Sequence, residues 1–110
     1  MAFSRKHLGS GLLGSAETTM YTPTATNITG VIGKVSFFNE STTAQVTVTI
    51  YSPHSGSAAS GDYLDEVVIN PRKSYICRAA VNEVIPGGQV LSAVASTGSV
   101  ISYSVSGGEE

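Results

Sequence analysis

The chain has 110 residues, enough for one domain with a modest core and too few for two. Hydrophobic residues make up 41% and charged residues 13%, about half the usual charged share, and the formal net charge is −2. That balance gives no electrostatic footing on nucleic acid or on an anionic membrane, and no stretch approaches the roughly 18 consecutive apolar residues of a transmembrane helix. One cysteine rules out an internal disulfide framework and leaves Cys77, in the run Tyr75-Ile76-Cys77, as a small hydrophobe.

Met1 to Glu17 shows neither a helical nor a strand period. Gly9, Gly11 and Gly14 would each cost an interior helix position roughly 1 kcal/mol, so the segment is predicted to be an extended arm. Phe3, Leu8, Leu12 and Leu13 are too apolar for a solvated tail. The arm is therefore expected to order on a partner or along its own domain, with a neighbouring subunit as the expected sink. Arg5, Lys6 and His7 would add polar contacts, either to an acidic shell or to a neighbour's Glu109-Glu110. The same segment imitates a secretory signal, but its glycines interrupt the apolar region. Gly9 to Gly14 also spells G-x-G-x-x-G, yet no strand precedes it and no βαβ unit can follow it, so it carries no dinucleotide.

Thr18 to Thr22 reads as a first short strand ended by Pro23, and Thr24 to Thr29 as a polar loop. Gly30 to Asn39 is a stronger strand, with Val31, Val35 and Phe37 expected on one face. Asn39-Glu40-Ser41 is expected to turn it back, as a hairpin, into Thr42 to Tyr51. There Ala44, Val46, Val48 and Ile50 alternate with polar residues, the period-two mark of a strand with one buried face, and the rest of the chain is organised around it. Ser52 to Gly61 holds turn formers without apolar period and is expected to be an exposed loop. Strands are expected at Tyr63 to Ile69, Ser74 to Val81, Gln89 to Ala95 and Val100 to Ser106. Between them lie the turn Asn70-Pro71-Arg72-Lys73, the short Val84-Ile85, the type II turn of Pro86-Gly87-Gly88 and the link Ser96 to Ser99. Gly107 to Glu110 reads as a fraying acidic end.

The fold expected is all-β: an antiparallel β-sandwich, jelly-roll or Ig-like, of about seven to eight short strands with an extended N-terminal arm. Residues 1–17 form the arm and 18–110 the sandwich domain. Its core is expected to hold Val31, Val35, Phe37, Val46, Val48, Ile50, Val68, Ile76, Leu91, Ile101 and Tyr103.

Little in the chain carries chemistry. His7 and His54 fall in segments without an orienting partner and are expected to be solvated. Asp62, Asp65 and Glu66 form the one acidic cluster, but their spacing matches no calcium loop, so no metal or cofactor is expected. Asn27-Ile28-Thr29 and Asn39-Glu40-Ser41 fit the glycosylation pattern, which serine- and threonine-rich chains produce by chance. No enzyme is expected.

The arm, the start Met20-Tyr21-Thr22-Pro23, the strand Val31 to Asn39 and the strand Ala44 to Tyr51 together resemble small virion proteins of tailed bacteriophages. So do Ile85-Pro86-Gly87-Gly88-Gln89-Val90-Leu91-Ser92-Ala93-Val94-Ala95-Ser96 and the closing Val105-Ser106-Gly107-Gly108-Glu109. The proteins resembled are β-sandwich capsid decoration (cement) proteins and related small tail components. The resemblance implies a non-enzymatic structural protein, made in the host cytoplasm and added to the virion at the capsid surface. There it would clamp neighbouring major capsid subunits or other virion subunits as a homo-oligomer, dimer or trimer, on a symmetry axis. Candidate assembly contacts are Phe3, Arg5, Lys6, Leu8, Leu12 and Leu13. The alternative is a receptor- or carbohydrate-binding β-sandwich module of a phage tail or fibre. It would rest on Tyr51 and Tyr63, which flank the long loop, in a chain without tryptophan.

Overall fold

The computed structural model describes the backbone from residue 4 and side chains from residue 7. Its elements are β1 (Ser4–Leu12), β2 (Thr18–Tyr21), β3 (Gly30–Asn39), β4 (Val46–His54), β5 (Tyr63–Ile69), β6 (Ser74–Ile76), a 3-10 turn (Arg78–Ala80), β7 (Val84–Ile85), β8 (Val90–Ala95) and β9 (Ile101–Glu109). Among the described residues there is no α-helix, and every strand pairing is antiparallel. A five-stranded sheet runs β1-β9-β3-β6, with β7 also on β3, and packs against a four-stranded sheet running β2-β8-β4-β5. The all-β sandwich is thus as expected, with the supposed arm supplying a further strand.

β4 lies in the interior of its sheet, between β8 and β5, and Val46, Val48 and Ile50 are wholly buried, as their alternation requires. Its limits differ from those expected: Thr42 to Gln45 lead into it, whereas Ser52, Pro53 and His54 extend it. Irregular register after Ile50 and between Tyr51 and His54 accommodates Pro53, which has no N–H to give to a ladder.

The expected hairpin between the two strongest strands is not formed. β3 pairs with β9, β6 and β7, whereas β4 pairs with β5 and β8, so Asn39 to Ser41 carries the chain from one sheet to the other. Asn39, fully buried, makes this corner. Its Nδ2 donates to the Ala44 and Ile69 carbonyls at 2.9 Å each, and its Oδ1 accepts from the Ser41 N–H at 3.0 Å. An amide that satisfies three backbone groups locks the crossing, and its burial removes one of the two glycosylation sequons from consideration.

Three of the expected core positions face the other way. In β3, register shifts between Ile32 and Lys34, so Val35 and Phe37 point inward with Ile32, while Val31 is only half-buried. Val68 and Ile76 are 56% and 47% exposed; their neighbours Ile69 and Cys77 are buried instead. Both lie in unbroken apolar triplets, where composition cannot say which face is the inner one. Tyr103 is half-buried against the core. Val35, Phe37, Val46, Val48, Ile50, Leu91 and Ile101 are buried as expected. The strand expected over Ser74 to Val81 breaks after Ile76, where the 3-10 turn takes over.

The two ends of the chain depart most from expectation. Gly107, Gly108 and Glu109 do not fray: they continue β9 between β1 and β3, and Glu110 exchanges backbone hydrogen bonds with Thr29. β1 lies along β9 from Ser4↔Glu109 to Leu12↔Ser102, with an irregularity between His7 and Gly9. Residues 4–12 are extended and laid along their own domain, one of the two destinations expected for them. The free edge of β9 supplies that lane, and each backbone pair formed there satisfies a donor and an acceptor.

Candidate assembly surface and polar clusters

Alternation along paired strands sets what the five-stranded sheet turns outward. From β1 come His7, Ser10 and Leu12, opposite Ser106, Ser104 and Ser102 of β9. From β3 come Val31, Lys34, Ser36 and Phe38, with Ile76 of β6 opposite Ser36 and Val84 of β7 opposite Val31. Leu12, Ile76 and Val84 are 48%, 47% and 51% exposed, and Arg72 lies 5.0 Å over the Phe38 ring. Among the described residues, the result is a serine ribbon flanked by aliphatic side chains, with few charges. Such a face loses little in desolvation when another protein covers it.

Of the six expected assembly residues, the three whose side chains are described, Leu8, Leu12 and Leu13, lie in different surroundings. Phe3 lies outside the described residues. Arg5 and Lys6 stand in β1 opposite Gly108 and Gly107, with their side chains outside the described residues. Leu8 is half-buried against the core, and Leu13 is completely buried within it, with its N–H donating to the Ile101 carbonyl at 2.9 Å. Leu13 is therefore a core residue and not a contact for a neighbour. Leu12 alone of the described leucines here is presented to solvent.

Polar clusters occur where the two sheets meet at their margins. On one side, the Tyr21 hydroxyl of β2 donates to Glu109 Oε2 of β9 at 2.5 Å, and the Thr24 N–H approaches the same oxygen at 3.4 Å. Tyr21 and Glu109 are both buried, and the Tyr21 ring lies on Gly30, where any Cβ would collide with it. Burial first, then the carboxylate, raises the Tyr21 pKa far above its ordinary value. On the other side, the Tyr75 hydroxyl of β6 donates to Asp65 Oδ2 of β5 at 2.5 Å. That hydrogen bond, then burial, pushes the Tyr75 pKa up to about 12. Cys77 Sγ lies 3.7 Å from the same Asp65 oxygen, and burial raises its pKa; an inert thiol in the core agrees with the expected small hydrophobe.

His54 is not the solvated loop residue the sequence suggests. It is 6% exposed at the end of β4, its Nδ1 2.7 Å from the Ser52 carbonyl and its Nε2 2.7 Å from Glu17 Oε2. Glu17 Oε2 also accepts from Ser92 Oγ at 2.6 Å, and Glu17 Oε1 accepts from the Ala58 N–H at 2.8 Å. Although histidine, glutamate and serine meet, the serine donates to the carboxylate and not to the imidazole. No nucleophile is activated by this order. Beside it, Tyr51 packs edge-on to His54 at 6.2 Å and tilted against Tyr63 at 5.4 Å, so the two tyrosines the sequence singled out touch across β4 and β5.

The acidic cluster is dispersed by the pleat. Asp62 Oδ2 accepts from the Ala59 N–H, Asp65 turns inward to Tyr75, and Glu66 turns outward to the Thr49 hydroxyl at 2.9 Å. Among the described residues no three histidine, cysteine, aspartate or glutamate side chains gather as metal ligands do. Missed by sequence reasoning were Glu17, Glu109, Tyr21, Tyr75 and Ser92. No local spacing could have joined them, since Tyr21 and Glu109 are 88 positions apart and Glu17 and Ser92 are 75 apart. Comparison with known proteins gives no match to this chain among protein-family models, curated proteins or solved structures.

Proposed function

We propose that this chain is a non-enzymatic structural protein of a tailed-bacteriophage virion, a capsid decoration (cement) protein that clamps neighbouring major capsid subunits from the capsid surface. The observation that carries the reading is the outer face of the five-stranded sheet, where Leu12, Ile76 and Val84 stand exposed around a ribbon of serines. A face of this kind suits burial by another protein, and the Tyr21–Glu109 and Tyr75–Asp65 pairs tie the molecule's own two sheets together. Sequence style adds its weight through the strands and turns that resemble phage virion proteins. Self-association as a dimer or trimer about a symmetry axis belongs to the proposal, because a clamp repeated around a shell repeats one contact.

The experiment compares purified virions of the encoding phage with and without the gene, by mass spectrometry and electron microscopy. The expected result is surface density at symmetry-related positions that disappears with the gene. Absence of the protein from complete virions overturns the reading. Pairing Leu12→Glu with Ile76→Glu should lower occupancy on the shell at least tenfold while the isolated domain melts as before.

A second reading, carbohydrate or receptor binding, is favoured by one observation. Tyr63 is 62% exposed, packs tilted against Tyr51, and borders a shallow groove shared with Leu64, Asp65 and Glu66. An aromatic face beside carboxylates is the chemistry that grips a sugar ring. A glycan array with parent and Tyr63→Ala protein decides it: glycan binding lost in the variant supports this reading, and no glycan bound removes it.

A further inference from the structure

His54 and Glu17 join β4 and the 55–61 loop that follows it to two stretches remote in sequence, the segment before β2 and β8. The His54 Nδ1 faces the Ser52 carbonyl oxygen, which only accepts, so a hydrogen bond there needs the proton on Nδ1. In a neutral ring Nε2 would then point its lone pair at a carboxylate 2.7 Å away, so the contact with Glu17 needs a second proton, on the ring. Glu17 in turn holds Ser92 of β8 through Oε2 and the Ala58 N–H of the 55–61 loop through Oε1. We propose that His54 and Glu17 form a proton-operated clasp, which ties the 55–61 loop and the segment before β2 onto β4 and β8 while His54 is charged and loosens when it becomes neutral.

The surroundings favour the charged state. The groups facing His54 are Glu17 from the segment before β2, Asp62 from the loop just before β5, Tyr51 on its own strand and the Ser52 carbonyl. Burial acts first and lowers the pKa of His54. The Ser52 carbonyl, Glu17 and Asp62 act against it, and the balance lies above the ordinary 6.5. Glu17 is pushed below its ordinary 4.5, first by the Ala58 N–H, then by the Ser92 hydroxyl, with His54 adding to them. A raised histidine contributes stability that is complete below 6.5 and is lost as pH climbs through its folded value. A lowered carboxylate contributes above 4.5 and is lost as pH falls through its folded value. The clasp is thus tightest between about pH 4.5 and 6.5 and opens on the alkaline side. It is independent of what the outer face of the other sheet binds.

The test is nuclear magnetic resonance on the intact chain. Imidazole carbon shifts of His54 and His7 are followed across pH, together with the amide-exchange protection factor of Ala58. His54 should titrate above pH 6.5, and Ala58 protection should fall roughly tenfold as it does so. In Glu17→Gln the His54 midpoint should drop and the step in Ala58 protection should vanish. A parent His54 that titrates at or below pH 6.5, or Ala58 protection that stays flat through its titration, overturns the proposal. The parent measurements decide the matter even if the variant does not fold.

Discussion

The two margins of the sandwich are closed by the same chemistry in different surroundings. At one, Tyr21 reaches from the four-stranded sheet to Glu109 in the five-stranded sheet, and both are nearly removed from water, at 5% and 9% exposed. At the other, Tyr75 reaches back from the five-stranded sheet to Asp65, and both remain half-buried. The first cause of the raised pKa differs accordingly: desolvation for Tyr21, the hydrogen bond itself for Tyr75. Equal bond lengths therefore do not mean equal consequences. Where water can replace a lost partner the bond is nearly optional, and where it cannot the orphaned group bears the whole desolvation penalty.

Alkaline pH acts on both margins and should have the largest effect. Each tyrosine is held neutral by the fold with a pKa above the ordinary 10.0, so its contribution is intact below pH 10 and is lost as pH rises through the folded value. Phenolate absorbance should show Tyr75 ionising near pH 12 and Tyr21 only as the fold collapses. Ionisation of Tyr21 in a still-folded protein at pH 10 would contradict its burial against Glu109. Next in size, Tyr21→Phe takes a hydroxyl from a buried carboxylate and should cost about 2–3 kcal/mol in urea unfolding. Tyr75→Phe should cost about 1 kcal/mol, because solvent reaches Asp65. Equal losses in the two variants would mean that burial does not distinguish the margins. Smallest of all, Val68→Ser, on the outward face of the same strand as Asp65, should shift stability within about 0.5 kcal/mol. A larger loss would show that β5 is covered on that face.

Neither margin was visible in the sequence. Glu109 stands among Gly107, Gly108 and Glu110, a string with the composition of a frayed end, and its role follows from β9 being flanked on both sides. Asp65 looks like an acid placed to protect an edge, and it faces inward because Ile50 opposite it faces inward. His54 follows the turn-forming Ser52-Pro53, yet strand pairing with Val90 extends β4 through it. Of the expected assembly residues, Leu13 shows the limit best. An apolar residue in a glycine-rich segment must be covered by something, and the sequence does not say whether by its own core or by another molecule.

The features legible in the order of residues were local. The inward set Val46, Val48 and Ile50, the strands Gly30 to Asn39 and Tyr63 to Ile69, and the turn at Gly88 with φ +90 all follow from period and backbone sterics acting within a few residues. Tertiary structure alone decided which strands share a sheet, sending β3 and β4 to opposite layers at Asn39. It also decided which residue of Val67-Val68-Ile69 or Tyr75-Ile76-Cys77 turns inward, and where Tyr21, Tyr75 and His54 find their carboxylates. The reason is physical: a strand's period names two faces without saying which is buried, and a polar group's partner is set by the packing of sheets whose strands lie far apart in the chain.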